Sequence, residues 1–468
     1  MRIPATAPLL LLLLLPSQGW PLLSDAKSAQ TKEAVAQVPP KGWNSWDTFQ
    51  GAVNETTILE TADKMCELLA PSGYDTVTID EFWYPDASTA ASIDEYGRVI
   101  VDVVKYPSAA GGVGFKPLAD KLHAMGLKIG IHVMHGVPSA AQKATCHVEG
   151  TSVPVWDLTT GAKDLCNWNK EWYRLNMSHP AAQSYLDSIY GMYASWDIDF
   201  IKNDCVFGDN LDTLTLSNIQ GARMAMDRAG RPMVYSLSPG FSMSVPGDAV
   251  FQGSKEVSSI VNMYRVTQDW HGWNSTDKEQ GWPLHFKTAN VTTSLRGQTS
   301  YNGTKSWPDL DMLNPFRDPE SFRMQQTLWA MARSPLVYGG DMRLLDKDSD
   351  HVKIMTNAGV LRVTDMSVDN RQVWHQADTA CWVAKAKPGS HEDGSFYVGL
   401  FRFQGEGAVR VSLDQLGIEA KKVLVTDLWT GQFIEQEGSV SSEVLAACDT
   451  TGAVSSRPCS AMLRVLPQ

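Results

Sequence analysis

The sequence predicts an α/β protein: a (β/α)8 TIM barrel followed by a C-terminal antiparallel β-sandwich. Three observations carry this reading. Short β-branched runs alternate with amphipathic helical stretches from Lys41 to Gly339. Beyond about residue 355 that alternation stops, and short strand-like runs separated by Gly, Asp and Ser turns take over. The composition, 43% hydrophobic and 20% charged, is that of a globular chain rather than a disordered one.

In chain order the predicted barrel strands are Lys41–Asp47, Tyr74–Phe82, Lys128–Met134, Asp199–Cys205, Pro232–Ser236, Ile260–Thr267, Trp307–Leu313 and Ser334–Gly339. Thr76-Val77-Thr78-Ile79 has no polar alternation of the kind a half-exposed strand shows, so it reads as a strand buried on both faces. Helical patterns between them include Glu55–Leu69, Lys116–Met125, Pro180–Ser195, Leu211–Ala229 and Pro319–Ala332. The region of the sixth helix, Asn274–Arg296, is polar and irregular. The stripe Met324–Met331 reads as helix packing. The sandwich strands are Gln372–Ala386, Ser395–Phe403, Ala408–Leu413, Lys422–Trp429 and Ala461–Leu466. The domains follow as 38–350 for the barrel and 358–468 for the sandwich.

Met1-Arg2 ahead of the leucine run Leu9–Leu15 has the charged start and short apolar core of a secretory signal peptide, residues 1–24. No later run reaches the length of a membrane span, so no membrane association is expected of the mature chain. An extracellular or cell-wall destination and a lysosomal or vacuolar one both fit. The net charge of −12, with no basic run, argues against nucleic acid as a partner. Seven cysteines without C-x-x-C spacing point to disulfides rather than a zinc site. Cys448 with Cys459 and Cys146 with Cys166 are the shortest closures, and an odd count leaves one thiol over. Sequons at Asn54, Asn176, Asn274, Asn290 and Asn302 fit a glycoprotein.

A barrel's chemistry sits at the C-terminal ends of its strands. There this sequence places Trp46-Asp47, Asp80-Glu81-Phe82-Trp83, His132, Lys202-Asn203-Asp204, Ser236-Leu237-Ser238, Arg265 with Asp269, Asp309 with Asp311, and Asp341. Paired carboxylates on different strands, with cations and flat indole faces around them, are what glycoside hydrolysis requires. The expected partner is therefore a carbohydrate. His132 and His135 have ligand-like spacing but no accompanying acid or cysteine motif, so neither a metal nor another cofactor is expected.

Five ordered segments make the resemblance specific: Gly42-Trp43-Asn44-Ser45-Trp46, Ile79-Asp80-Glu81-Phe82-Trp83, Lys202-Asn203-Asp204, Arg265 with Asp269, and Trp307-Pro308-Asp309-Leu310-Asp311-Met312. The chain resembles glycoside hydrolase family 27, the α-galactosidase family, from about Pro39 to Asp346 and again in the layout of its trailing β-domain. The resemblance implies a retaining mechanism through a covalent glycosyl-enzyme. It implies Asp204 as nucleophile and Asp269 as acid/base. Trp46, Asp80, Glu81, His132, Lys202 and Arg265 would bind the sugar. For Asp269 to hold a proton, burial or an anionic neighbour must counter its cationic surroundings.

Several positions depart from the family pattern. The usual Asp-Asp pair is Asp80-Glu81, the usual third-strand tyrosine is His132, and the usual Cys-Glu-Trp-Pro segment reads Leu237-Ser238-Pro239-Gly240. The cysteine usually two residues after the nucleophile is displaced, because Cys205 follows Asp204 directly. α-D-Galactopyranose and β-L-arabinopyranose share ring stereochemistry and differ by a hydroxymethyl group. Glu81 reaches roughly 1.5 Å further than aspartate, so its carboxylate can crowd that group. Activity on both sugars is expected, leaning toward arabinopyranose. The alternative is a catalytically inactive, lectin-like barrel.

Overall fold

The computed structural model describes residues 35–163, 169–204, 206, 213–238, 255–267, 269, 282–300, 303–448 and 457–468. The expected leader at 1–24, Cys166, Cys205, Pro239-Gly240 and the sequons at Asn274 and Asn302 lie outside them.

Eight parallel strands form the barrel: β1 (Lys41–Asn44), β2 (Thr76–Ile79), β3 (Lys128–Met134), β4 (Phe200–Asp204), β5 (Val234–Ser238), β6 (Met263–Arg265), β7 (Lys305–Asp309) and β8 (Leu336–Tyr338). From β1 to β7 each pairs with the next in sequence, and β8 returns to pair with β1. Between β7 and β8 the ring closes through Leu313, whose N–H donates to Val337 O at 2.7 Å while its carbonyl accepts from Gly339 N at 3.2 Å. β2 is buried at every position, as its unbroken Thr-Val-Thr-Ile run requires. Gly42 permits the close β1–β2 approach, since a Cβ there would lie 2.3 Å from Thr76 O.

The strands are shorter than the apolar runs that predict them, because the residues after them turn out onto the rim. Phe82, three residues past β2, already has φ +68°. The surrounding helices include α1 (Glu55–Leu68), α2 (Lys116–Ala124), α3 (Ala182–Ser195), α4 (Thr213–Arg228), α5 (Trp282–Val291) and α6 (Pro319–Ala332). α1 starts at Asn54, whose side chain accepts from Thr57 N, and buries Ile58, Thr61, Ala62 and Met65 at helical spacing. The sequon at Asn54 thus doubles as a helix cap. α5 lies inside the irregular Asn274–Arg296 region, anchored by buried Trp282 and Phe286.

Sequence patterning gives no sign of a small antiparallel sheet inserted between β3 and α3, built from Val137–Pro138, Thr159–Lys163 and Trp172–Leu175. Its strands are too short, and one pairing too bulged, to leave a period-two signal.

The C-terminal domain follows helix α7 (Ala358–Met366) rather than starting directly on a strand. Its strands are β9 (Ser367–His375), β10 (Thr379–Ala386), β11 (Phe396–Arg402), β12 (Glu406–Ser412), β13 (Lys422–Asp427), β14 (Phe433–Glu437), β15 (Ser439–Ala446) and β16 (Ser460–Pro467). Six pair antiparallel in the order β9-β10-β11-β16-β13-β14, and β12 pairs with β15 in the facing layer. The predicted Gln372–Ala386 run is a hairpin, β9 and β10. Both faces of β10 are buried: Trp382 and Ala384 join the barrel-side core, while Cys381 and Val383 pack with Val409, Val411 and Val440 between the layers. Helix α6 lies between barrel and sheet, which explains burial almost all round it. Asn370 donates to Met331 O at 2.8 Å, and Thr327 Oγ1 lies 3.2 Å from Ser460 Oγ.

Cys448 and Cys459 form a disulfide that joins the end of β15 to the start of β16. The other short closure fails: Cys146 carries a free, buried thiol, as does Cys381, and Cys66 is also unpaired.

Candidate active site

Carboxylates and cations gather where β1, β2, β3, β4, β6 and β7 end. Asn44, the last residue of β1, links two of the predicted residues: its Oδ1 accepts from Trp46 N at 2.8 Å and its Nδ2 donates to Asp80 Oδ2 at 2.7 Å. Lys202 Nζ donates to the same oxygen at 2.7 Å, and Glu81 N donates to Oδ1 at 2.9 Å. Burial pushes the Asp80 carboxyl up, but Lys202 and His132 outweigh it and bring it down to about 2. Asp80 is therefore a fixed anion throughout the working pH range.

Asp204 ends β4 with its side chain 14% exposed, and His132 Nε2 lies 3.1 Å from its Oδ2. His132 is fully enclosed. Burial opposes its charge, yet Asp80, Asp204 and Glu81 raise its pKa above that of a free histidine. An imidazole favouring its charged form thus holds one carboxylate at the end of β4, with the Lys202 ammonium interacting with the same group. His135, by contrast, is pushed down to about 4 by burial and by Arg174, so it is neutral.

Glu81 is also buried. Asn169 Nδ2 donates to its Oε1 at 2.8 Å, Tyr84 OH lies 3.5 Å from the same oxygen, and Oε2 has no hydrogen-bond partner. Burial, with Asp204 and Asp80 nearby, pushes this carboxyl up to about 7 against His132 and Asn169. Asn169 lies on the segment leading into the third strand of the inserted sheet. Its role is illegible in the sequence, because 88 residues separate it from Glu81.

On the opposite side Arg265 Nη2 lies 3.0 Å from Asp269 Oδ1 and 3.0 Å from Asp311 Oδ2. Of the two conditions the sequence reading allows for an acid here, burial is not met: the Asp269 side chain is 63% exposed and touches a guanidinium. Beneath the rim, a cavity of about 40 Å³ inside the barrel is lined by Lys202, Arg265, Asp309, Asp311, Asn44 and Ser236, among others.

Of the two indoles expected at the rim, Trp46 and Trp83, the second is core instead. Trp43, Trp83 and Trp307 are fully enclosed, and their Nε1 atoms donate to the carbonyls of Gly340, His132 and Ala36. Trp46 is half-buried, with the exposed Phe82 ring 6.2 Å away. Asp341 caps the turn after β8 and pairs with Arg343, a structural role. Among the described residues no group of three His, Cys, Asp or Glu side chains could hold a metal ion.

A family profile described as alpha galactosidase A matches residues 168–365, and one described as alpha galactosidase C-terminal beta sandwich domain matches residues 376–451. Alpha-galactosidase 3 of Arabidopsis thaliana is 28% identical over 425 residues, covering 88% of this chain and 80% of its own. Alpha-galactosidase A of Cellvibrio japonicus is 30% identical over 327 residues, covering 69% of this chain and 66% of its own. A solved GH27 β-L-arabinopyranosidase from Geobacillus stearothermophilus, in complex with arabinose, superposes with a TM-score of 0.78 at 30% identity. It covers 92% of this chain and 98% of its own. With its closed barrel, its trailing sandwich and these matches, the chain belongs to glycoside hydrolase family 27.

Proposed function

We propose that the protein is a retaining exo-glycosidase that removes terminal α-D-galactosyl and β-L-arabinopyranosyl residues. Asp204 is the nucleophile and Asp269 the acid/base. The observation that carries this reading is the pairing of Asp204 with His132 beside the Lys202–Asp80 ion pair, because it fixes one rim carboxylate at the end of β4 among cationic neighbours. Asp204 attacks the anomeric carbon while Asp269 protonates the departing oxygen. With Asp204 esterified, Asp269 takes a proton from water, which hydrolyses the intermediate. Trp46, Asp80, Glu81, His132, Lys202 and Arg265 shape the sugar pocket. The N-terminal leader would route the protein into the secretory pathway.

The sugar preference rests on Glu81. Asn169 anchors its Oε1, so the extra methylene is not free to swing out of the pocket. The similarity to an arabinopyranosidase supports the same direction, and the curated α-galactosidases support activity on galactosides. Both aryl glycosides should be hydrolysed by wild type. Glu81→Asp should shift the ratio of kcat/KM values toward the galactoside by about 10-fold or more, the usual effect of one methylene in a tight pocket. An unchanged ratio would show that Glu81 does not set the specificity.

Activity should be highest in acid. The alkaline fall begins where Asp269 loses the proton it must donate, and above about pH 7 Glu81 also ionises and adds a negative charge beside Asp80 and Asp204. Rate should therefore fall on the alkaline side, and a pH–rate profile reads this directly. Since proton transfer and attack are both assigned to carboxyl groups, dialysis against a strong chelator should leave activity intact. Loss of activity restored by one divalent ion would contradict the mechanism.

A further inference from the structure

Arg265 is the junction between the proposed acid/base and the barrel interior. Its Nη2 contacts Asp269 Oδ1 at 3.0 Å, Asp311 Oδ2 at 3.0 Å and Thr267 O at 3.1 Å. The two carboxylates differ sharply in environment: Asp311 is 7% exposed and Asp269 63%. A guanidinium left with Asp269 alone would favour that carboxylate's ionised form, which is wrong for a proton donor. A buried counter-ion, less screened by water, neutralises the guanidinium more strongly than an exposed one.

We infer that Asp311 is a positioning residue for the reaction: it anchors Arg265 and balances its charge, so that Asp269 can carry the proton to the leaving oxygen. This rests on Asp269 being the acid/base. Three further features support it. Asp311 has φ +90°, a conformation unfavourable to a residue with a Cβ, at a place where glycine would be easier. Its backbone is locked there, with its N–H donating to Asp309 Oδ1 at 2.9 Å and its carbonyl accepting from Trp329 Nε1 at 2.7 Å. Its other carboxylate oxygen accepts from Met312 N at 2.8 Å, which aims Oδ2 at Arg265.

Among the described residues, the other charged groups facing this junction include Asp309 on β7 and Lys202 on β4. Burial pushes Asp309 up to about 6, against the lowering by Arg265 and Lys202, so in acid it contributes little negative charge. Asp311 remains as the buried counter-ion. Lys202 is already matched by Asp80 at 2.7 Å.

The test compares Asp311→Asn, Asp311→Gly and Asp269→Ala with wild type, using kcat/KM against pH on aryl glycosides with poor and activated leaving groups. Asparagine keeps the shape and tolerates positive φ, and glycine relieves the backbone, so thermal melting can confirm at least one folded variant. Both Asp311 variants should move the basic limb to lower pH by roughly one unit or more. They should lose about 10-fold or more on the poor leaving group, and less on the activated one. An unmoved limb in Asp311→Asn would overturn the inference, as would a wild-type profile in Asn with collapse in Gly. If Asp269→Ala loses equally on both leaving groups, the acid assignment itself fails and the inference falls with it, whatever Asp311 does.

Discussion

Asp204→Ala is expected to lower kcat by about 10⁴-fold or more on both aryl glycosides, close to 5.5 kcal/mol of lost transition-state stabilisation. Among the described residues, its charged neighbours His132, Lys202 and Asp80 cannot take its place. His132 and Lys202 carry or favour positive charge, and Asp80 is held by Asn44, Lys202 and the Glu81 N–H. Sugar binding should survive, because those groups remain. The smaller Asp204→Gly leaves space for azide beside two cations, and added azide should restore turnover with inversion at the anomeric carbon. Sugar binding by the wild type with no turnover on either substrate would instead identify a lectin-like barrel. Azide rescue with retention would reassign the nucleophile.

The second large effect belongs to Asp269→Ala. On substrates with poor leaving groups it should cost about 10²- to 10⁴-fold, whereas aryl glycosides that depart without protonation should keep much more of their rate. The exposure of Asp269 makes this comparison clean, since removing a solvent-facing side chain leaves no cavity in the core. Equal losses on both kinds of substrate would move the acid role to Glu81, Asp309 or Asp311. Glu81 and Asp309 are the buried carboxyls with raised proton affinity, at about 7 and about 6.

Much of the architecture was readable in advance because it depends on local repetition. A strand such as Thr76–Ile79, buried on both faces, must be apolar throughout, and a helix such as Glu55–Leu68 must repeat its apolar residues every three or four positions. Strand ends then bring Asp80, His132, Lys202, Asp204 and Arg265 to one rim, since a barrel presents all its C-terminal ends together. The inserted sheet and the separation of β9 from β10 escaped this logic. Short or bulged strands leave too few residues for a period to show.

The chain by itself determined which residue types stand at the strand ends, and hence the reaction class, because chemistry requires carboxylates and cations there whatever the details of packing. Only the tertiary structure decided their environments. It sank Trp43, Trp83 and Trp307 into the core and left Trp46 at the rim. It set Asn169 against Glu81, exposed Asp269 and buried Asp311 behind Arg265. Whether a carboxyl keeps or loses its proton depends on desolvation and on charges within a few ångströms. Those neighbours come from strands far apart in sequence, and only the folded barrel brings them together.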